Sequence, residues 1–272
     1  MIEVKVVDQI ADLRALKQEY IDQTSSPLDG MWLTGFIPLS THYGFYEEGQ
    51  LIGYCCVDGK GYLLQFYVIP NKQNQASLLF DSIVAKQHSS VTKVIGAFSS
   101  TAEPNYFSLC LDSFADFTVN AFMYQLDSTK KSRIEYDPAI QLTLATPEQL
   151  NDFVEFTKAN MGSQEEWLRA YNTRLISRQE LFGVWQKGQL IALGELRAYD
   201  DFQREYADLG VIVENRIRGK GLGTMVLGLL IAKSKAKGLI PICSAEKANI
   251  GSQKAISKAG FVSSHRIVQF KN

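Results

Sequence analysis

The sequence predicts an α/β (α+β) protein made of two domains of similar fold. Three observations support this: the length of the chain, an internal repeat, and alternating strand-like and helix-like hydrophobic patterns in both halves. With 272 residues, the chain reaches the size at which one hydrophobic core usually divides. A composition of 46% hydrophobic and 21% charged residues is typical of a globular protein and excludes a disordered or collagen-like chain.

Short segments of the chain recur at a nearly constant offset. The tetrapeptide Gly-Gln-Leu-Ile at 49–52 recurs at 188–191, which is 139 residues later. The pattern Asn-x-x-Ser at 105–108 recurs at 249–252, which is 144 residues later. Such repeats indicate duplicated structural units.

We therefore predict domains over 1–130 and 138–272, separated by a polar linker at 127–133. For the first half, hydrophobic periodicity predicts strands at 2–7, 43–47, 51–57, 62–69, 93–98 and 117–126, with helices at 10–22 and 76–86. For the second half, it predicts helices at 147–160, 164–176, 222–237 and 249–258, with strands at 140–145, 181–185, 190–197, 206–213 and 240–244 and a last strand from Phe261. Thr146, Pro147 and Gln149 form a helix-start pattern, because Thr is a good N-cap, Pro suits the first helical position and Gln can complete a capping box.

Charge and length patterns exclude several classes of protein. The 28 basic and 29 acidic residues give a net charge of −1 and a pI near 6.3, so we expect no nucleic-acid partner and no anionic membrane surface. The N-terminal residues lack the layout of a signal peptide, and no apolar run reaches the length of a membrane span. We expect a cytoplasmic protein.

The cysteines and histidines do not form a metal-binding pattern. Cys55, Cys56, Cys110 and Cys243 include no C-x-x-C pair, and the three histidines are far apart in the sequence. We interpret the cysteines as small buried residues in a reducing compartment, and we expect no metal site.

The most informative segment is the glycine-rich link between a predicted strand and a predicted helix at 213–223. Its alternate glycines let the backbone turn tightly and approach a ligand closely. The free N–H groups and the dipole at a helix start favour an anion, and Arg218 and Lys220 add positive charge. The segment therefore predicts a cradle for a phosphate or a diphosphate.

Other known glycine loops fit this segment less well. Glu214 stands where a Walker A loop requires its first glycine, and Thr224 stands where the third glycine of a dinucleotide fingerprint belongs. A strand–helix turn without a ligand stays open as the alternative.

The motif at 218–223, Arg-Gly-Lys-Gly-Leu-Gly, resembles the acetyl-CoA signature of the GNAT family of N-acetyltransferases. Val213 matches the valine that ends the preceding strand in that family, and Asn215 replaces the usual proline. The pattern at 249–252, followed by Lys-Ala-Gly-Phe at 258–261, is similar to the family's later segment. The resemblance covers about 138–272.

The resemblance implies two GNAT-like domains, each with a mixed, mostly antiparallel twisted sheet flanked by helices. It implies transfer of an acetyl group from acetyl-CoA to a primary amine of a small molecule or peptide, by direct attack of the amine. The resemblance implies that the backbone of Val211, Ile212 and Val213 lies next to the pantetheine arm. It also implies that the pyrophosphate is held by the backbone amides of Arg218, Gly219, Lys220, Gly221, Leu222 and Gly223. Asn249 is implied to bind near the cofactor.

The first half lacks the glycine loop. At an offset of 144 residues, Asn74 replaces Arg218 and Ser77 and Leu79 replace the last two glycines. We expect a degenerate GNAT-like domain that has lost cofactor binding, with Leu79 crowding any diphosphate.

The catalytic residues are less clearly marked. The family's tyrosine position is occupied by Ile256, and its glutamate position near the motif asparagine by Ser244. Acetylation needs a neutral amine, so a base must take its proton; Glu195 is our first candidate and Asp208 the second.

Two other functions stay open, namely a CoA-binding regulatory or interaction protein with little turnover, and a tandem module without a ligand. The oligomeric state is left open, although two halves packed within one chain are compatible with a monomer.

Overall fold

The computed structural model describes residues 2–84, 88–127, 129, 134, 136–162 and 165–271. The chain divides into two compact units. Unit 1 comprises Met1–Phe122 together with His265–Asn272, and unit 2 comprises Met123–Ser264. Most of the predicted linker lies outside the described residues, as do the end of the predicted helix at 76–86 and the start of that at 164–176.

The secondary structure follows the predicted order in both halves. The strands are β1 (Ile2–Val6), β2 (Thr41–Glu47), β3 (Gln50–Val57), β4 (Tyr62–Val68), β5 (Gly96–Ser100), β6 (Asp116–Leu126), β7 (Thr143–Leu144), β8 (Leu181–Gln186), β9 (Gln189–Ala198), β10 (Tyr206–Val213), β11 (Ile240–Glu246) and β12 (Phe261–Lys271). The α-helices are α1 (Arg14–Asp22), α2 (Ala76–Val84), α3 (Pro104–Ser113), α4 (Leu150–Met161), α5 (Glu165–Ser177), α6 (Leu222–Ala236) and α7 (Ile250–Lys258).

In unit 1 the strands are arranged in the order β1-β2-β3-β4-β5, and the C-terminal end of β12 lies beside β5. Strands β1 to β4 are antiparallel neighbours, and β4 and β5 are parallel. The core includes Phe45, Phe80 and Phe270, each with no exposed surface. Because Phe270 lies on β12, the end of the chain supplies part of the hydrophobic core of this unit.

In unit 2 the order is β6-β11-β10-β9-β8-β7. Strands β7 to β10 are antiparallel neighbours, and β10 and β11 are parallel. Helix α6 packs over β9 at Gly194, where a Cβ atom would lie 3.1 Å from Leu230 and 3.2 Å from Val226. Each unit therefore has the predicted mixed, mostly antiparallel sheet flanked by helices.

The repeated tetrapeptide marks the same hairpin turn in both units. The β2–β3 turn has φ of 50° at Glu48 and 78° at Gly49, and the β8–β9 turn has 50° at Lys187 and 77° at Gly188. Two successive residues with positive φ form the two-residue turn that fits the twist of paired strands. The repeat in sequence is thus a repeat in backbone geometry.

Several boundaries differ from the predictions. The helix predicted from Ile10 begins as a 3-10 turn, Ile10–Leu13, and the strand predicted at 140–145 is reduced to β7. The strand predicted at 93–98 is displaced to β5. Helix α3 was not predicted as an element; its Pro104 occupies the first turn, where proline is well tolerated.

Within the described ranges, every helix is too short or too polar to cross a lipid bilayer. The four cysteines are buried and unpaired with one another. No cluster of three or more His, Cys, Asp or Glu side chains among the described residues is placed to hold a metal ion.

Candidate cofactor and acceptor site

Strands β10 and β11 separate part of the way along their length. Their parallel pairing runs from Tyr206, opposite Ile240, to Asp208, opposite Ile242. Strand β10 continues to Val213 with β9 on its other side, and in the described part of the chain no strand pair joins its 209–213 segment to β11. Since backbone groups at a free strand edge can bind an extended partner, this split offers an edge beside Val211, Ile212 and Val213.

The glycine-rich loop leads from this edge to the start of α6. Gly219 has φ of 80°, and Gly221, the N-cap of α6, has φ of 88°. No atom lies within 4 Å of a Cβ built at either glycine, so the backbone conformation, and not crowding, favours glycine here.

Helix α6 begins with backbone amides that have no helical acceptor. Its first helical hydrogen bond runs from the Met225 N–H to the Gly221 carbonyl. The N–H groups of Leu222 and Gly223 precede that bond and lie at the positive end of the helix dipole. A Cβ at Gly223 would make only ordinary contacts, 3.6 Å from Val213 and 3.9 Å from Ala255. This arrangement fits a diphosphate, as the sequence predicts.

Arg218 anchors the loop instead of presenting its charge to the cradle. Its Nε donates to the Val213 carbonyl at 3.0 Å, and its Nη2 donates to the Asn160 carbonyl at 3.2 Å. The Asn160 side chain also accepts from the Asn215 backbone N–H at 2.8 Å. The guanidinium therefore ties the loop to the ends of β10 and α4, and the exposed Lys220 is the freer of the two predicted basic side chains.

Asn249 is the N-cap of α7. Its Oδ1 accepts a hydrogen bond from the Ser252 N–H at 3.1 Å, and its own N–H donates to the Glu246 carbonyl at 2.9 Å. Capping uses the side-chain oxygen. The side-chain nitrogen is therefore the group that can donate a hydrogen bond to a bound molecule.

Both candidate bases lie in one buried network around Arg197. Arg197 Nη2 donates to Asp208 Oδ2 at 2.7 Å, and Nη1 donates to Glu195 Oε2. Tyr171 donates its hydroxyl hydrogen to Glu195 Oε2 at 2.7 Å and accepts from Arg197 Nη1 at 3.1 Å. Glu195 is 7% exposed and Asp208 1% exposed, so neither is the solvated carboxylate that a strand face often carries.

Gly210 makes room for this network. It pairs with Glu195 across β9 and β10, and a Cβ there would lie 2.8 Å from Arg197 Nη1 and 2.9 Å from Glu195 Oε2. The network therefore lies over β10 two residues past Asp208, where β10 and β11 have separated.

The network shifts the pKa values of Arg197 and Tyr171. Burial opposes the charge of Arg197, but the carboxylates of Asp208 and Glu195 hold its pKa well above the usual value. Burial, followed by the charge of Glu195, raises the pKa of the Tyr171 hydroxyl. Sequence reasoning missed Arg197, although its spacing of two from Glu195 on one strand places both side chains on the same face.

An aromatic platform lies beside the network. Trp167 stacks on Tyr171 with ring centroids 4.9 Å apart and planes at 9°. Trp167 is 38% exposed, so it is a surface residue of α5. This exposure favours a role in lining a groove over a role in core packing.

Neither the family's tyrosine position nor the tyrosine that begins β10 supplies a hydroxyl beside the glycine loop. Ile256 is buried in α7 with 4% exposure, and it offers no hydroxyl. Tyr206 lies at the first residue of β10, about 23 Å of extended strand from Val213. Tyr206 therefore lies at the end of the strand opposite to the glycine loop.

The corresponding loop of unit 1 has a different geometry. Residues Pro70–Gln75 form a 3-10 helix that runs directly into α2, and the Ala76 N–H donates to the Gln73 carbonyl. The amide at the start of α2 is therefore used within the chain. We expected Leu79 to crowd a diphosphate at this loop. Its side chain is instead 6% exposed and lies in the core of unit 1.

Comparisons with known proteins agree with this geometry. Residues 9–127 match the family described as "Acetyltransferase (GNAT) domain", and residues 146–261 match the "Acetyltransferase (GNAT) family". A solved acetyltransferase from the GNAT family of Colwellia psychrerythraea is 46% identical, with coverage of 99% of both chains and a TM-score of 0.93. The chain belongs to the GNAT family. Its two GNAT domains in tandem, predicted from the repeat, are confirmed.

More distant GNAT structures share the fold. A protein from Sphaerobacter thermophilus is 12% identical, with a TM-score of 0.66 and coverage of 100% of this chain and 95% of that one. A tandem GNAT protein from the clavulanic acid biosynthesis pathway is 13% identical, with a TM-score of 0.66 and coverage of 100% and 98%. No curated protein sequence matches this chain. As a GNAT fold, the chain has an architecture that supports acetyl transfer in general.

Proposed function

We propose that this GNAT protein is an acetyl-CoA-dependent N-acetyltransferase that acetylates a primary amine of a small molecule or peptide. The observation that carries the proposal is the continuity of the split between β10 and β11 with the amides at the start of α6. An extended arm and a diphosphate are the two parts of CoA that such a surface fits.

Unit 2 holds the cofactor in this proposal. The pantetheine arm lies along the backbone of β10, the diphosphate lies on the amides of the loop and of α6, and Asn249 donates to the cofactor from the start of α7. The residues assigned to the cofactor are Val211, Ile212, Val213, Arg218, Gly219, Lys220, Gly221, Leu222, Gly223 and Asn249, with Arg218 acting through its backbone amide.

The chemistry requires an uncharged amine. The amine nitrogen bonds to the acetyl carbonyl carbon, the carbon–sulfur bond breaks, the amine loses one proton and the thiolate of CoA gains one. Glu195 is the proposed base, because it lies beside the split and faces the Tyr171–Trp167 platform through its hydrogen bond to Tyr171. Asp208 is the second candidate, because it is 1% exposed and its Oδ2 accepts from both Nε and Nη2 of Arg197.

Acetyl-CoA calorimetry on a Gly221→Val variant tests the cradle. Valine at a φ of 88° is strained and its side chain lies over the loop, so we expect binding to weaken at least tenfold. Gly188→Val is the matched control, because Gly188 also has positive φ, 77°, with open space around it, but it lies in a hairpin turn. Equal affinities in the two variants would remove the cradle from the proposal.

Release of free CoA against a panel of amines tests turnover. A Glu195→Gln variant should lose at least about 100-fold in kcat while its affinity for acetyl-CoA stays within twofold. Tight acetyl-CoA binding without turnover on any amine would instead indicate a CoA-binding regulatory protein.

Along the sequence, the proposal keeps the predicted domains 1–130 and 138–272, with the difference that residues 265–272 group with unit 1. A cytoplasmic location is part of it, supported by four buried cysteines that form no disulfide with one another, as a reducing compartment maintains them.

A further inference from the structure

Unit 1 contains a pocket at the position where its own parallel strands separate. The pairing of β4 with β5 covers only Tyr62, opposite Gly96, and Leu63, opposite Ala97. Beyond these pairs, β4 contributes Phe66, Tyr67 and Val68 to a pocket of about 360 Å³, with its mouth included. The end of α1 and the start of α3 form the other walls.

The pocket is the counterpart of the split in unit 2, but its chemistry is different. The α2 start offers no ready amide at Ala76, whose N–H is bonded to Gln73. Among the lining residues that the structure describes, Glu103 is the one that carries a formal charge, and the others are aromatic, apolar or neutral polar side chains. A diphosphate would meet a carboxylate here, so the pocket disfavours CoA and favours a cation.

Glu103 is held in a fixed orientation in this pocket. Its Oε1 accepts the Tyr20 hydroxyl hydrogen, and its Oε2 accepts the Ser100 backbone N–H at 2.6 Å. The residue is 8% exposed. Among the described residues no lysine, arginine or histidine forms an ion pair with it, although buried carboxylates are usually paired.

The tyrosine hydroxyls and cysteine thiols around Glu103 are uncharged at pH 7, and the basic Lys17 of α1 lies over the Tyr54 ring, 5.6 Å from its centroid, in contact with His42. Burial, as the largest cause, raises the pKa of Tyr20 on α1, of Tyr54 and Cys56 on β3, and of Tyr106 on α3. Cys110, also on α3, has its pKa raised in the same way. Burial also raises the pKa of Glu103 itself, to about 7. An entering cation would therefore supply the charge that the protein does not.

The walls suit an ammonium group on a short carbon chain. The rings of Tyr20 and Tyr67, which both line the pocket, have centroids 6.1 Å apart, and aromatic faces attract ammonium groups. Phe66 and Leu109 add apolar surface. Near the mouth, Glu19 accepts from the Tyr67 hydroxyl at 2.7 Å and adds a second negative charge.

We propose that unit 1 binds a small primary amine in this pocket, with Glu103 as the ion partner of its ammonium group. The site is separate from the proposed acceptor site at Glu195 in unit 2, and it does not depend on acetyl-CoA. Unit 1 is the GNAT domain that lacks the glycine loop. The ligand proposed for it is a cation, whereas the diphosphate proposed for unit 2 is an anion.

Calorimetry of the full chain without acetyl-CoA tests the proposal, with n-butylamine as the probe. Binding of one butylamine per chain at pH 8 is expected, with n-butanol and n-butyrate at least tenfold weaker. Glu103→Gln should weaken butylamine at least tenfold, whereas Glu19→Gln, which removes an exposed carboxylate nearby, should change it less than threefold. Affinity should fall about tenfold from pH 8 to pH 6, because Glu103 becomes protonated.

Several results would overturn the proposal. They are equal binding of butanol and butylamine, unchanged binding in Glu103→Gln, or loss of binding in Glu195→Gln only, which would place the amine in unit 2. If Glu103→Gln does not fold, Asn105→Trp replaces it, because Asn105 is exposed on the rim and a bulky ring there should block entry. Unchanged binding in that variant counts against the pocket. Because no acetyl-CoA is present, failure here leaves the proposed acetyl transfer untouched.

Discussion

Arg197 is the side chain on which the charge balance of the candidate active site depends. It lies between Glu195 and Asp208, and all three side chains are at most 12% exposed. Removing one charge from such a group leaves its partners buried without a compensating charge. This costs more free energy than the ion pair itself contributes to stability.

Replacing Arg197 with leucine should therefore destabilise the protein strongly. We expect the free energy of unfolding to fall by about 3–5 kcal/mol, measured by urea denaturation. Arg216→Leu is the control, because Arg216 is 89% exposed in its pair with Glu214 and such pairs contribute at most about 1 kcal/mol. Equal losses in both variants would show that the buried network is not a source of stability.

Two buried groups of unit 1 give the stability opposite dependences on pH. Burial and the neighbouring Lys17 lower the pKa of His42 from 6.5 to about 4. The unfolded chain thus takes up a proton that the folded chain does not, and stability is lost as pH falls from about 6.5 toward 4. Burial raises the pKa of Glu103 from 4.5 to about 7, so stability is lost as pH rises through that interval.

Single variants should separate the two effects. Between pH 5 and 7 the contributions nearly cancel, so the free energy of unfolding of the parent chain should change little from these groups. On going from pH 7 to pH 5, Glu103→Gln should lose about 2 kcal/mol and His42→Gln should gain about 2 kcal/mol. Denaturation curves at pH 5, 6 and 7 measure this, and parallel behaviour of the two variants would contradict it.

At the level of single residues, the sequence predicted the glycines of the proposed cofactor loop but not the contacts of the loop's side chains. The glycines at 219 and 221 were identified because positive φ leaves a strong signal in composition. The anchoring role of Arg218 depends on Asn160, which is 58 residues away in the chain. Contacts between distant segments leave no local pattern, so this role could not be predicted.

Among the elements, the two strand–helix links differ in the backbone amides that they leave for the proposed anion. In unit 2, two residues of positive φ interrupt the chain before α6, and the amides of Leu222 and Gly223 precede the first helical hydrogen bond. In unit 1, the 3-10 helix at Pro70–Gln75 continues into α2 and uses the Ala76 amide. The loss of glycine thus changes the hydrogen bonding of the helix start as well as its shape.

This difference predicts one acetyl-CoA site per chain. Calorimetric titration should give a stoichiometry of one, and Gly221→Val should weaken that single site without exposing a second. Two equivalents bound per chain would show that unit 1 also accepts the cofactor and that the continuous helix start is no barrier.

The elements themselves were largely predictable. The strands on either side of the turns at Glu48–Gly49 and Lys187–Gly188, and strand β10, were predicted close to their observed positions, because turn residues and alternation are local signals. The shift of the strand predicted at 93–98 to β5 has a tertiary cause, since residues 96–100 pair with β12. Local propensity carries no information about a partner from the end of the chain.

On the scale of the whole molecule, the end of the chain belongs to unit 1. Residues Ile267 to Lys271 pair with β5 in antiparallel register from Ser100 to Gly96. Val268 and Phe270, which are 3% and 0% exposed, lie in the core of that unit. The repeat in the sequence indicates two domains one after the other, and it gives no sign that one of them is completed from so far along the chain.

A chain that ends at Ser264 should therefore lose the fold of unit 1. Replacing one core phenylalanine with alanine lowers the free energy of unfolding by about 3–5 kcal/mol. The loss of a whole strand with two core residues approaches the total stability of a domain, about 5–15 kcal/mol. Limited proteolysis should cut unit 1 first, and a fragment of residues 1–130 should fold only when a peptide of residues 265–272 is added. Within the full chain, Phe270→Ala should destabilise strongly, and Lys271→Ala, at an exposed position, should not. Independent folding of the fragment without the peptide would show that β12 only covers a core that is already complete.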